Sequence, residues 1–329
     1  MSLLCAQIFP DKPKEDTTTS GTQTQRAAFL TSLLWPVGYT LRIYFYPEKI
    51  TNWYPVPNID PKFLDPLYGE IQGKVDCVTL VKKVVTDRLA PMLNMKFEFT
   101  DNIMNSDIRI QFAANQGCHS LVGDIRNATE YMGKPTMVYS WLDVSTVIHE
   151  FGHVLGMIHE HQNPSGNPIR WNKQAVYCYY GSTNGWSNEE VDNNVLDAYN
   201  KDQVNGSDFD PASIMIYPFP KSIVCQGKEM FVTLDQSEIN PNYRLSNSDV
   251  AWLKIMYPKD GIRDLNLIGQ LPGDVIPTEV YKPITEILDS VGLFLKENGK
   301  TTGYVLLSIL LAWGGYSIYS WRKKIKSQK

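Results

Sequence analysis

The chain has 329 residues, of which 43% are apolar and 20% charged, and its net charge is −4. That composition argues against a disordered or collagen-like chain, and the lack of a basic excess argues against nucleic acid as a partner. Five cysteines, odd in number and without a CxxC pair, argue against a disulfide scaffold or a Cys-rich zinc module and leave room for one disulfide.

Residues 1–32 read as a disordered tail, because 11–25 contain almost no apolar side chain to bury. Its first ten residues lack the basic start and long apolar core of a secretory signal. The folded part is expected from about Leu33. Residues 39–46 alternate and are rich in β-formers, so they predict a strand. Residues 47–68 hold five prolines and predict a loop. Val78, Val81, Val85 and Leu89 repeat at helical spacing and predict an amphipathic helix over 75–93. Strands are predicted at 96–100 and 107–112, and an edge strand at 134–141, where Pro135 falls at the start. The loop 114–129, with His119 and Ser120, would border a cleft. Helices are predicted at 144–156 and 246–257, the second with Ser246 as N-cap and Pro258 as its stop.

Past Pro258 the composition changes. Residues 259–300 read as a linker with a short amphipathic stripe (Ile284, Ile287, Leu288, Val291, Leu295). Residues 301–321 then carry no charge at all. As a helix, 21 such residues would span about 31 Å, near the thickness of a bilayer core. Tyr304 and Trp321 sit at interfacial positions, and a basic tail at 322–329 follows. A single transmembrane helix is therefore expected, with lipid as its partner. Without the five Lys/Arg of 301–329, residues 1–300 hold 26 bases against 35 acids, so an acidic domain and a basic tail are separate. A C-terminal anchor without a signal segment predicts a tail-anchored protein facing the cytosol, and the sparse cysteines favour that reducing side. The sequons at Asn127-Ala-Thr129 and Asn205-Gly-Ser207 would matter only in a lumenal setting.

Histidine is the unevenly distributed residue. Four of the five (His149, His153, His159, His161) fall within thirteen positions. In His149-Glu150-Phe151-Gly152-His153, the histidines lie four apart and project from one helix face, where both could bind one Zn²⁺. Glu150 lies between them and could reach a metal-activated water without becoming a ligand. A straight helix would carry His159 about 15 Å from His149 along the axis. It can close the site only if the chain turns back, and Gly156 is where φ > 0 costs no steric strain. HExxHxxGxxH fixes five positions in eleven, which makes it far more specific than HExxH alone.

This stretch resembles the metzincin family of zinc endopeptidases. Glu160 after the third histidine, together with Ser213-Ile-Met215-Ile-Tyr217 downstream, points to the astacin-like branch. Trp35-Pro36, Asp107-Ile-Arg-Ile, His159-Glu-His-Gln-Asn-Pro164, Asn184-Gly-Trp186 and Tyr257-Pro258 extend the likeness over 33–258. The resemblance implies an α+β zincin-like domain with a mixed twisted sheet and an active-site helix. It implies Zn²⁺ held by His149, His153 and His159, and Glu150 as general base. Met215 would support the site from below, and Tyr217 would serve the transition-state oxyanion. An extended peptide would bind beside strand 134–141. A non-catalytic zinc-binding module at a membrane is the alternative.

The chain departs from the family pattern in three places. Ile216 stands where astacins usually carry histidine, and no matching disulfide set is evident. Glu160 would meet the N-terminus made by propeptide removal, yet no inhibitory segment is recognisable in the residues before the first strand. His161 overshoots the site and reads as structural, as does His119.

Overall fold

The computed structural model describes residues 29–49, 53–198, 208–219 and 241–263, with short strands at 5–8, 204–205, 224–225, 228–229 and 231–232, and residue 239. All lie in one compact unit, Met1–Gly273. The linker stripe 284–295 and the predicted membrane span 301–321 lie outside the described residues. Among the described residues, no helix is long and apolar enough to cross a membrane.

In chain order the strands are β1 (Cys5–Ile8), β2 (Phe29–Leu30), β3 (Thr40–Phe45), β4 (Lys96–Phe99), β5 (Ile108–Phe112), β6 (Cys118–Leu121), β7 (Met137–Tyr139), β8 (Arg170–Trp171), β9 (Val204–Asn205), β10 (Val224–Cys225), β11 (Lys228–Glu229) and β12 (Phe231–Val232). The helices are α1 (Leu67–Ile71), α2 (Cys77–Lys83), α3 (Val144–Val154), α4 (Lys173–Asn184), α5 (Asn188–Val191) and α6 (Asn247–Met256). A six-stranded mixed sheet has the order β1-β6-β7-β5-β3-β4. Its strands run parallel except at the β6–β7 pair, which is antiparallel. This is the expected α+β architecture.

The periodic segments fold as their patterns predict, with boundaries shifted by one or two residues at β3, β4, β5, α3 and α6. The helix expected over 75–93 begins with Asp76 capping the Val78 and Thr79 amides, then widens into π-type turns at Val84–Leu89. Three expectations need correction. Strand 134–141 is not an edge: β7 is hydrogen-bonded to β5 on one side and β6 on the other, and Met137, Val138 and Tyr139 are all buried. The loop 114–129 contains β6, whose Cys-His-Ser-Leu sequence lacks the β-branched alternation that marks a strand. The ordered chain also reaches back past Leu33. Phe29 is fully buried and bridged to Met157, and β1 pairs in parallel with β6, so 1–32 is not wholly a disordered tail.

One apolar core lies between the sheet and the helices α2, α3 and α6, and includes Trp35, Leu41, Ile43, Leu80, Val84, Ile110, Val147, Phe151 and Trp252. Each such side chain contributes about 1.5–3 kcal/mol when fully buried. A second cluster, with Val176, Tyr180, Val191, Val195 and Phe219, packs around α4 and α5 below. There Cys178 of α4 is joined to Cys225 of β10, across 47 positions of sequence. Cys77 and Cys118 are free and buried.

The disulfide closes a long loop, and loop entropy assigns it about 4 kcal/mol. Reduction, or a Cys178→Ser/Cys225→Ser double variant, is expected to lower stability by a few kcal/mol in chemical denaturation. An unchanged midpoint would contradict a formed bond.

Candidate metal centre

All eleven residues of α3 are buried, so the polar backbone groups at both helix ends need partners inside the protein. At the N-terminus the Asp143 carboxylate accepts from Thr146 N at 2.8 Å, and Gln72 Oε1 accepts from Val144 N at 3.1 Å. The Tyr68 hydroxyl donates to Asp143 at 3.0 Å. At the C-terminus the Val154 carbonyl accepts from Trp35 Nε1 at 2.7 Å, and the Leu155 carbonyl from the Tyr257 hydroxyl at 2.9 Å. The His153 carbonyl accepts from Gly123 N and Gly156 N, both at 2.8 Å. Gly123 has φ +69°, and a Cβ there would collide with the Leu33 carbonyl.

The helix ends at Val154, and Gly156 takes φ +91°, which is the predicted break. The turn returns the chain over the helix: Met157 N donates to Gly152 O at 2.9 Å, and His159 arrives beside His153. The ligating atoms of His149, His153 and His159 all lie within 4.8 Å of one another.

Hydrogen bonds on the far side of two rings fix the tautomers. His149 Nδ1 donates to the Ile214 carbonyl at 2.8 Å, and His153 Nδ1 donates to the Met157 carbonyl at 2.9 Å. A carbonyl can only accept, so in both neutral rings Nε2 keeps its lone pair. His149 Nε2 is buried with no protein hydrogen-bond partner. His153 Nε2 and His159 Nε2 face each other at 3.2 Å. Tetrahedral coordination at about 2.0–2.1 Å places ligand nitrogens about 3.3 Å apart. Three buried imidazoles with two such lone pairs fit a metal ion better than they fit any hydrogen-bonding scheme.

Burial keeps these rings neutral. It pushes His149 down to about 4 and His161 down to about 3. Burial, then neighbouring imidazoles, hold His153 and His159 well below the ordinary histidine range.

The segment Ser213–Tyr217, read from the sequence as a Met-turn, packs against α3 and the histidines. Met215 is fully buried, and a Cβ on Gly152 would sit 2.5 Å from its sulfur, so a larger residue there would displace the methionine side chain. The Tyr217 ring lies 4.3 Å from His159 and 4.6 Å from His161. His161 is structural, as expected: its Nε2 donates to the Asn194 carbonyl at 3.0 Å, and it stacks on His159. Glu150 is fully buried on α3 between the two helical histidines.

Glu160 has partners within the chain. One oxygen accepts from Asp210 N and from Asn163 Nδ2, each at 2.8 Å. It therefore ties the turn after His159 to the start of the Met-turn. Sequence reasoning missed this link and also the Ile214 carbonyl, since a backbone acceptor leaves no residue-type signal. His119 lies half-buried on β6, away from the three ligands.

A family model for the astacin peptidases matches residues 93–258, half of the chain, including all three histidines, Met215 and Tyr217. The chain belongs to the astacin family. A zinc metalloproteinase of Caenorhabditis elegans, nas-36, is 28% identical over 227 residues, which cover 67% of this chain and 32% of that protein. The chain thus spans about a third of the length of that curated relative. The solved structure of myroilysin matches with a TM-score of 0.54 and 28% identity, covering 71% of this chain and 99% of that one.

The histidines predict acid sensitivity. Their pKa values are depressed on folding, so the unfolded chain binds protons first. Their contribution is whole above about pH 6.5 and falls as pH drops towards 4, by about 1.4 kcal/mol per unit for each ring. Glu160 and Asp249, pushed up by burial, act in the opposite sense. Four histidines outnumber two carboxyls, so the denaturation midpoint of metal-free protein should fall between pH 7 and 5. A constant midpoint would contradict this balance.

Proposed function

We propose that this domain is a zinc-dependent endopeptidase, held at a membrane through residues 301–321. The observation that carries the catalytic part is the convergence of three neutral imidazoles, two with tautomers locked by backbone carbonyls and both on the buried helix that carries Glu150. Three protein ligands leave a coordination position open, as catalytic rather than structural zinc sites do. The name of the C. elegans relative, a zinc metalloproteinase, supports the choice of metal.

A zinc ion in this site supplies a Lewis acid that polarises a peptide carbonyl and lowers the pKa of water. The protein supplies the rest. Glu150 takes the proton of the attacking water and hands it to the leaving amine. The Tyr217 hydroxyl, from a ring packed on His159, donates to the developing oxyanion. Met215, pressed on Gly152, keeps the floor of the site from shifting.

Substrate would bind as an extended strand added to the sheet by main-chain hydrogen bonding. The strand it would pair with is β6 rather than 134–141, since β7 lies between β5 and β6. In the structure β1 lies along it, with Ala6 opposite His119, so a substrate takes this place by displacing residues 5–8.

The uncharged stretch 301–321 and the basic residues after it support the membrane proposal. The cysteine argument for the cytosolic face weakens, because the Cys178–Cys225 bond favours an oxidising side. The positive-inside rule points to the same side for the catalytic domain.

The decisive variant is Glu150→Ala. It should retain stoichiometric zinc while losing chelator-sensitive cleavage of a peptide library by at least a thousandfold. Undiminished cleavage would contradict the role of Glu150. Zinc binding by wild-type protein without any cleavage would favour a non-catalytic module.

A further inference from the structure

We propose that Asp249, on α6, is a positioning residue for the metal centre, acting on His149 by fixing the backbone of Ile214. The proposal rests on the three-histidine reading of the site. Asp249 is 2% exposed. Its Oδ1 accepts from Ser213 Oγ at 2.8 Å, and its Oδ2 accepts from Ile214 N at 2.9 Å and Ser246 N at 2.9 Å. The carbonyl of the same Ile214 accepts from His149 Nδ1 at 2.8 Å. One continuous line therefore runs from a carboxylate through a residue of the Met-turn to the back of a ligand ring.

The capping of α6 does not require this arrangement. A capping box needs only the reciprocal pair, in which Ser246 N donates to Asp249 and Asp249 N donates to Ser246 Oγ. The chain contains that simpler form at α5. There the exposed Glu190 carboxylate accepts from Ser187 N at 2.8 Å and from Ser187 Oγ at 2.9 Å, and both bonds stay within the cap. Asp249 differs by its burial and by the two further bonds it makes to the turn. Burying a carboxyl is costly unless its partners are fixed, and burial pushes Asp249 up to about 6, which leaves it ionised at neutral pH.

The physical effect follows from charge and geometry. Charge-assisted bonds from the Ser213 hydroxyl and the Ile214 N–H hold that residue in place, and with it the carbonyl of the following peptide group, which accepts from His149 Nδ1. That holds the His149 ring with Nε2 facing the site. A carboxylate that bonds a ligating histidine directly does the same, and loss of such an outer partner typically costs about 10–100-fold in metal affinity. Here a backbone residue is interposed, which lets the carboxylate reside on a helix that is distant in sequence.

The test compares two substitutions in the full chain, with zinc affinity read by competition against a chelating dye and metal-free stability by chemical denaturation. Asp249→Asn keeps the shape and removes the charge. Ser246→Ala removes the cap acceptor for Asp249 N and the hydroxyl that donates to Asp210 Oδ2, and leaves the Ser213 and Ile214 bonds to Asp249 in place. Asp249→Asn is expected to weaken zinc binding about 10–100-fold and to shift the visible absorption bands of the cobalt-substituted protein. Ser246→Ala is expected to lower stability while zinc affinity stays within twofold. Should Asp249→Asn fail to fold, Ser213→Ala, which removes the bond to Asp249 together with the acceptor of Met215 N and leaves the cap, should weaken zinc several-fold. Wild-type affinity in Asp249→Asn, or in Ser213→Ala where that variant replaces it, would overturn the proposal. So would an affinity loss in Ser246→Ala equal to that of Asp249→Asn. Wild-type protein that binds no zinc would overturn the metal-centre reading and this inference with it, whereas stoichiometric wild-type zinc beside an unaffected Asp249→Asn would overturn this inference alone.

Discussion

The active-site helix is buried along its whole length, and it must stop directly after its second histidine. Those two constraints organise the rest of the domain. A helix that presents no face to water cannot leave its end groups to solvent, so residues from separate segments of the chain meet them. Asp143 and Gln72 serve the N-terminus, and Trp35, Gly123 and Tyr257 the C-terminus. The residues around that C-terminus come from the start, the middle and the end of the folded chain. Correct placement of the histidines is thereby coupled to closure of the whole unit, and α3 cannot form its native contacts piecemeal.

The break at Gly156 converts one helix face into a three-sided site. Two ligands come from the helix and the third from the returning chain, which is why the rings point at one another from nearly perpendicular planes, 89° between His149 and His153 and 77° between His153 and His159. The backbone then completes the orientation. Carbonyls of Ile214 and Met157 select one tautomer in each helical ligand. The Met-turn is held in its turn by Asp249 and, through Asp210, by Glu160. The ligand set is thus rigid before any metal enters, which limits the reorganisation that binding would otherwise require.

Much of this was legible in the sequence. The convergence of the three histidines, the break at Gly156 and α6 all follow from residue types at fixed spacings. Alternation marked β3, β4 and β5. What escaped has a physical reason in each case. β6 is a strand of Cys, His, Ser and Leu whose pairing, rather than its propensity, makes it extended. β7 looked like an edge because Pro135 precedes it, but that proline lies outside the paired residues Met137–Tyr139. Phe29 sits beside a polar stretch with no periodicity, so its burial against Met157 depends on a partner far away in sequence. The Cys178–Cys225 bond joins residues that no spacing rule connects. Asp249 carries no such mark, since its bonds to the turn go to a serine hydroxyl and a backbone amide far away in sequence.

The central claim is that His149, His153 and His159 together hold one zinc ion. Zinc K-edge X-ray absorption on the purified full chain tests it most directly. The account predicts three imidazole nitrogens at about 2.0–2.1 Å with lighter oxygen scattering completing the shell and no sulfur. A zinc–sulfur shell, or a shell of oxygen alone, would contradict it.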